Sequence, residues 1–234
     1  MDIRDPKIRY AVMHTKILRP PEQTLATFGI TNIHYYLLTE PIYLEEEEEK
    51  DSETVIREGN VISQRPRVVT PNYMNQLEGF GPNAKNYLKE IMRQFGHDAP
   101  GLFYNYKNDQ KGLNIVSSRL MLVADKISTE IDERGEKLAV IIKGEDELWD
   151  VSLLKFIYEL TANSIAGNLM QLNSRGLLRI DEEGIPMDAR LRIEEHFSSV
   201  IRGDSSPAEP KDELERWNLF EEYQDRFFRL FQKK

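Results

Sequence analysis

The chain has 234 residues, of which 40% are hydrophobic and 30% charged, with a formal net charge of -9. That length suits one large domain or two small ones, since domains cluster near ~100–150 residues, and the acidity repels phosphate backbones and anionic membrane surfaces. The absence of cysteine excludes disulfides, thiolate nucleophiles and sulfur-ligated zinc.

The first residues, Met1-Asp2-Ile3-Arg4-Asp5-Pro6, have no apolar core of signal-peptide length, and no window approaches the ~20 apolar residues of a spanning helix. A cytoplasmic protein without a membrane partner is expected. Residues 8–13 and 16–18 read as short strands, interrupted by Arg19-Pro20-Pro21 because proline removes a donor and fixes φ. Over 30–39, Ile33, Tyr35 and Leu37 alternate with Asn32, His34 and Tyr36. Both sets are large, so this strand is expected to be central and covered on both sides. Pro41 ends it, with 42–44 as an edge extension. The five glutamates of 45–49, continued by Lys50, Asp51 and Glu53, repel one another and predict a solvated loop. Residues 54–57 and 60–63 flank Glu58-Gly59, which reads as a hairpin with Gly59 and Asn60 at positive φ. Val68-Val69 is a further short strand.

Thr70-Pro71 is a helix start, running to Leu77, and Gly79-Phe80-Gly81-Pro82 is a turn. Ala84, Tyr87, Leu88, Ile91, Met92 and Phe95 then fall on one helical face, stopped by Gly96. Residues 101–106 read as a strand, 108–112 as a turn and 113–116 as its return. Ser117 is expected to cap a helix that buries Leu120, Val123, Ala124, Ile127 and Ile131, with Gly135 past its end. Residues 138–142 are a buried strand. From Asp150 only helices and loops are expected. One helix carries Leu153, Phe156, Ile157 and Leu160, a second amphipathic segment covers 165–172, and a third covers 186–200 with Ala189, Ile193, Phe197 and Val200. The run 203–207, Gly-Asp-Ser-Ser-Pro, reads as a linker. Asn218 with Glu221 resembles a capping box, and Leu219, Tyr223, Phe227, Leu230 and Phe231 make a last, aromatic stripe.

The elements predict an α+β fold: an N-terminal β-rich part, a mixed α/β middle and an all-helical C-terminal part. The middle strand–helix–strand should share a sheet with the N-terminal strands. The expected organisation is a sheet-containing region over 1–143, a helical region over 144–202 packed on it, and a linker with C-terminal helices over 203–234, all forming one unit. A two-domain chain split near 144 is the alternative.

Two groups of residues are candidates for ligand binding. Asn32, His34 and Tyr36 share a strand face and can hold a polar ligand where that face lines a cleft; the simpler reading of His34 is a hydrogen-bonded sheet histidine. Glu145, Asp146, Glu147 and Asp150 follow a strand and precede a helix, where ligands collect in α/β sheets and carboxylates can bind a hard cation or act as acid and base. The simpler reading is that acidic groups suit a helix N-terminus, with Asp150 as its cap. His14, His34, His97 and His196 lack metal-ligand spacing, so no metal is expected. There is no phosphate loop, dinucleotide fingerprint or nucleophile elbow, and no cofactor is expected. Arg65-Pro66-Arg67, with Arg57 nearby, is a basic cluster that reads as solvated surface.

Ser164-Ile165-Ala166-Gly167-Asn168-Leu169-Met170-Gln171-Leu172, followed by Arg175-Gly176-Leu177-Leu178-Arg179-Ile180 and the turn Asp181-Glu182-Glu183-Gly184, resembles the end of a winged-helix DNA-binding domain across 150–185. The resemblance implies that Asn168 and Gln171 read bases and that Arg175 and Arg179 meet phosphates. The recognition segment itself carries no Lys or Arg, and phosphate anchors supply most of the affinity, so nucleic acid is not the expected partner. Three functional classes follow. The first is a non-catalytic cytoplasmic protein-binding or scaffold protein, whose partner or second copy docks on the C-terminal aromatic helix. The second is a nucleic-acid-binding protein using 150–185. The third is an enzyme whose site is assembled from distant residues, with His34, Tyr36 and the 145–150 carboxylates the first places to look.

Overall fold

The computed structural model describes residues 5–41, 52–70, 93 and 100–231. The extension at 42–44, the glutamate loop, the helix after Thr70, the turn at 79–82 and the helix through 84–95 lie outside the described residues. The strands are β1 (Lys16–Arg19), β2 (Thr31–Thr39), β3 (Thr54–Ser63), β4 (Arg67–Val69), β5 (Gly101–Phe103), β6 (Tyr106–Val116) and β7 (Ala139–Lys143). The helices are α1 (Pro6–His14), α2 (Leu120–Arg134), α3 (Trp149–Ser174), α4 (Met187–Arg202), α5 (Ala208–Arg216) and α6 (Phe220–Arg229). The fold is α+β. Contacts divide the chain into two units, 1–65 with 104–168 and 66–103 with 169–234.

The first unit is built on a five-stranded mixed sheet in the order β1-β7-β2-β3-β6. β7 is parallel to β2, and the other pairings are antiparallel. The strands flanking the middle helix thus join the N-terminal sheet. β2 is central, and its period of two feeds two cores. Ile33, Tyr35 and Leu37 pack with Val61, Val140 and Ile142 against Leu153, Phe156 and Leu160 of α3. Tyr36 and Leu38 pack with Ala139 and Ile141 against Leu120, Val123, Ala124, Ile127 and Ile131 of α2. The buried stripe of α2 is therefore the one its sequence predicts. Gly135, at φ 63, ends that helix in the left-handed conformation, which glycine adopts without a Cβ penalty. The start differs: α2 begins at Leu120, and its N-cap Arg119 makes no side-chain capping bond.

Four local expectations are corrected. Residues 8–13 are helical, because the Asp5 carboxylate accepts from the Lys7 and Ile8 amides at 2.8 and 3.2 Å and Pro6 takes a first-turn position. Residues 54–63 form one strand without a turn at Glu58-Gly59. The glycine is there for space: a Cβ on Gly59 would lie 2.6 Å from the Tyr35 hydroxyl and 2.7 Å from the Asp109 carbonyl oxygen. Residues 108–112 lie inside β6, where the register shifts as Glu58 pairs with Gly112 and Gly59 with Gln110, leaving Lys111 as a bulge. Finally, α3 is a single 26-residue helix. Its interior polar groups are satisfied by the 25–27 segment: the Leu25 amide donates to Ser164 Oγ at 3.1 Å, and the Asn168 amide donates to Leu25 O and Thr27 Oγ1 at 3.1 and 2.7 Å.

The second unit holds the β4–β5 pair and the helices from α4 onward. Ile185, Ala189, Ile193 and Phe197 pack with Leu214, Trp217, Leu219 and Phe227. Two buried carboxylates accompany this core. Arg192 Nη2 donates to Glu213 Oε1 at 2.8 Å, the Trp217 indole donates to the same oxygen at 3.1 Å, and the Val68 amide donates to Asp188 Oδ2 at 3.0 Å. Breaking a buried pair of this kind strands a charge, which is strongly destabilising. Residues 203–207 form the short connection between α4 and α5, starting at Gly203 with φ 84. Asn218 does not cap α6: it sits at φ 58 in the turn after α5, and α6 follows Leu219. Asparagine is among the few side chains that tolerate this conformation.

Candidate functional site

Asn32, His34 and Tyr36 face the α2 side of the sheet, as alternation requires. The register places Tyr36 opposite Glu58 on β3 and His34 opposite Asn60. Past Gly135 the chain turns so that the Glu136 amide donates to the Ile131 carbonyl at 3.1 Å. This turn brings the Glu136 side chain to the sheet. His34 then stands between two carboxylates: Nε2 is 2.8 Å from Glu58 Oε1 and Nδ1 is 3.1 Å from Glu136 Oε2. A ring with one proton donates to one of them, and a ring with two donates to both. Arg134, the last residue of α2, donates from Nη2 to the Tyr36 hydroxyl at 2.9 Å and pairs through Nε with Glu136 Oε1 at 2.8 Å. The His34 and Tyr36 rings lie 4.5 Å apart. Burial pushes the Tyr36 phenol above its usual value, against the pull of Arg134.

Hollows adjoin this cluster on several sides. One, of about 500 Å³, includes Glu58 with Tyr35, Arg57 and Trp149 in its lining, and another, of about 490 Å³, opens where α2 leaves β3 and β6 uncovered. Its sheet wall includes Tyr36, Ile56, Glu58 and Val116, and its helix wall includes Leu122, Lys126, Ile127 and Glu130. The size and the aliphatic walls with a few polar groups suit a small molecule. A smaller one, about 340 Å³, includes Asn32, His34 and Glu136 in its lining. The sequence pattern thus brings Asn32, His34 and Tyr36 to one face, with His34 and Tyr36 in direct ring contact. Glu58, Arg134, Glu136, Lys126 and Glu130 were not singled out in the sequence. Glu58 was masked by its Gly59 neighbour, which reads as a turn. The other four sit on or just past a helix whose charged positions look like ordinary solvated surface.

The 145–150 carboxylates lie elsewhere and do not gather. Asp146 Oδ1 accepts from Thr39 Oγ1 at 2.6 Å and from Arg57 Nη1 at 2.9 Å, and the Arg57 guanidinium lies 5.6 Å from the Trp149 ring. That bracket ties the end of β2 to the start of α3. Glu145 and Glu147 line a separate hollow of about 310 Å³ beside Lys7 and Tyr10. Asp150 is exposed, and its Oδ1 accepts from the Val151 amide at 2.9 Å. Among the described residues no three metal-ligating side chains converge on a point, and no helix is long and apolar enough to cross a membrane.

Of the base-reading candidates, Asn168 is buried, and its Oδ1 accepts from the Tyr104 hydroxyl at 3.0 Å. Gln171, Arg175 and Arg179 are exposed. Because α3 is unbroken, no turn separates a first helix from a recognition helix. Ile180 bridges Pro186 around Asp181, whose carboxylate accepts from the Ile185 amide at 2.8 Å and from Arg190 Nε at 2.9 Å. In the C-terminal stripe Leu219 and Phe227 are buried in the second unit's core, with Tyr223 and Leu230 packed against it, while Phe231 is exposed, as is Phe228 outside the stripe.

No family model matches this chain, and no curated protein and no solved structure matches it either.

Proposed function

We propose that the protein binds a small molecule with an apolar body and a cationic, hydrogen-bonding head in the hollow between α2 and the sheet. The observation that carries this reading is the hollow of about 490 Å³ in which Glu58 and Glu130 stand on opposite walls of an aliphatic cleft. Glu58 is held in place by His34, so it is oriented before a ligand arrives. Such preorganisation lowers the entropy cost of binding. Two carboxylates against the single Lys126 favour a cation, and the net charge of -9 attracts one from a distance.

A matched series tests it: hexylamine, hexanol and hexanoate, titrated calorimetrically into the protein and into Glu58→Gln. The amine is expected to bind best. Glu58→Gln, which keeps an oxygen for His34, is expected to weaken it tenfold or more, since hydrogen bonds to charged groups contribute roughly 1.5–3 kcal/mol. Preference for hexanoate, or an amine affinity untouched by Glu58→Gln, would refute the assignment. A second reading, docking of a protein partner on α6, is favoured by the exposed Phe228 and Phe231 rings at 53% and 58% exposure.

A further inference from the structure

α3 is apolar on more than the face it buries. Its inner side carries Leu153, Phe156 and Leu160 into the core. Its outer side exposes Leu154 at 62% and Tyr158 at 70%, and Ala162 and Ala166 are exposed along the same row. The stretch 160–174 has no Asp, Glu, Lys or Arg in a chain that is 30% charged, although more than half of its positions are exposed. A stretch without charge on its solvent side is the pattern of a covered helix segment, and charge depletion marks the centre of protein interfaces; on the preceding turn Lys155 and Glu159 flank Leu154 and Tyr158 and pair with each other at 3.6 Å.

We propose that this face of α3 pairs antiparallel with α3 of a second copy of the chain, crossing between positions 158 and 162. Residues four apart form a ridge on a helix surface, and such ridges seat in the grooves of a facing helix. The ridge Leu154–Tyr158–Ala162–Ala166 runs from two large side chains to two small ones. Under a two-fold axis the partner's ridge runs the other way. Tyr158 of each copy then meets Ala162 of the other, and Leu154 meets Ala166. A parallel pairing sets large against large, and a flat apolar partner leaves the small half unfilled. The ridge is therefore complementary to itself under the symmetry of an isologous dimer. The ridge itself carries no ionised side chain, and its charged neighbours are already partnered, Lys155 with Glu159 at 3.6 Å and with the Thr15 carbonyl at 2.9 Å, which lowers the cost of burying this face. The pairing is independent of what the α2 hollow binds.

Sedimentation velocity on the full chain, from about 1 to 100 μM, tests the proposal together with three variants. The wild type is expected to be a dimer. Ala162→Glu brings two like charges together near the axis and is expected to weaken the dimer about a hundredfold or more. Tyr158→Lys alone removes the large half of the fit and weakens it too. In the double variant each introduced cation faces an introduced anion of the other copy, and dimerisation is expected to recover. Far-UV circular dichroism and melting serve as the control for folding, since both positions are exposed. A wild type that stays monomeric across the range overturns the proposal. So does a dimer indifferent to Ala162→Glu, a double variant that fails to recover while folded, or a monomer that binds phosphatidylcholine vesicles through these positions.

Discussion

Gly59→Ala is the substitution whose cost the structure sets most directly. The added methyl would lie 2.6 Å from the Tyr35 hydroxyl, 2.7 Å from Tyr35 Cζ and 2.7 Å from the Asp109 carbonyl oxygen. All are well inside contact distance, so something has to move. Tyr35 is fully buried, sits in the α3-side core, and its hydroxyl donates to Asn108 Oδ1 at 3.1 Å. The carbonyl belongs to β6 beside the Lys111 bulge, so moving it opens the β3–β6 pairing. Overpacking of this kind costs typically 1–3 kcal/mol, and with one backbone atom among the obstacles the upper half of that range is expected. For a unit of this size that lowers Tm by about 6–15 °C. The assay is a double-mutant cycle by thermal and urea unfolding with Tyr35→Leu, which removes both offending ring atoms. Tyr35→Leu alone leaves a void and destabilises, while in the double variant the new methyl partly fills that void. The two effects should therefore sum to more than the double variant's loss, by about 1 kcal/mol or more. A neutral Gly59→Ala, or additivity within about 0.3 kcal/mol, would refute the steric reasoning.

Two pH predictions accompany it. Burial, reinforced by neighbouring Tyr106, raises the Tyr104 phenol to about 12. Its contribution to stability is then complete below the ordinary value of 10.0 and is lost as the pH rises through about 12. Subtracting a Tyr104→Phe titration from the wild type at 295 nm should isolate that late step, and a difference curve centred near the ordinary value would contradict it. In the second unit, Arg226 hydrogen-bonds Glu194 and holds its carboxyl below the ordinary 4.5, outweighing burial. The folded state then binds fewer protons, so this contribution is present above the ordinary value and lost as the pH falls. Because both side chains are nearly half exposed, Glu194→Gln should flatten the acid limb of the stability curve by no more than about 1 kcal/mol. An unchanged acid limb would show the pair to be energetically silent.

The parts of the fold legible in the sequence are those whose signal is local and periodic. β2 shows its two buried faces as continuous large side chains, and α2 shows its stripe at three- and four-residue steps. The strand before α3 announces itself as an apolar run. Misreadings came where a residue has two physical uses. Gly59 reads as a turn because glycine frees φ, yet it is present because Tyr35 leaves no room for a Cβ. Residues 8–13 read as a strand, yet Asp5 and Pro6 start a helix through them. Asn218 reads as a helix cap and instead takes a left-handed turn.

The candidate site divides along the same line. Alternation within one strand is enough to put Asn32, His34 and Tyr36 on a common face. It carries no information about what meets them there, because the partners of His34 come from 24 and 102 residues away. Glu58 arrives by strand register and Glu136 by the turn after Gly135, and neither has a sequence mark that separates it from the other acidic residues of a charged surface. The hollow exists because α2 covers only part of the sheet, which is a result of packing. Sequence by itself determined the α+β class, the central strand and the common face of Asn32, His34 and Tyr36, since these follow from backbone periodicity and burial. Only the tertiary structure decided which charges surround His34 and where space remains beside it, since those depend on long-range register and on how far one helix reaches across a five-stranded sheet.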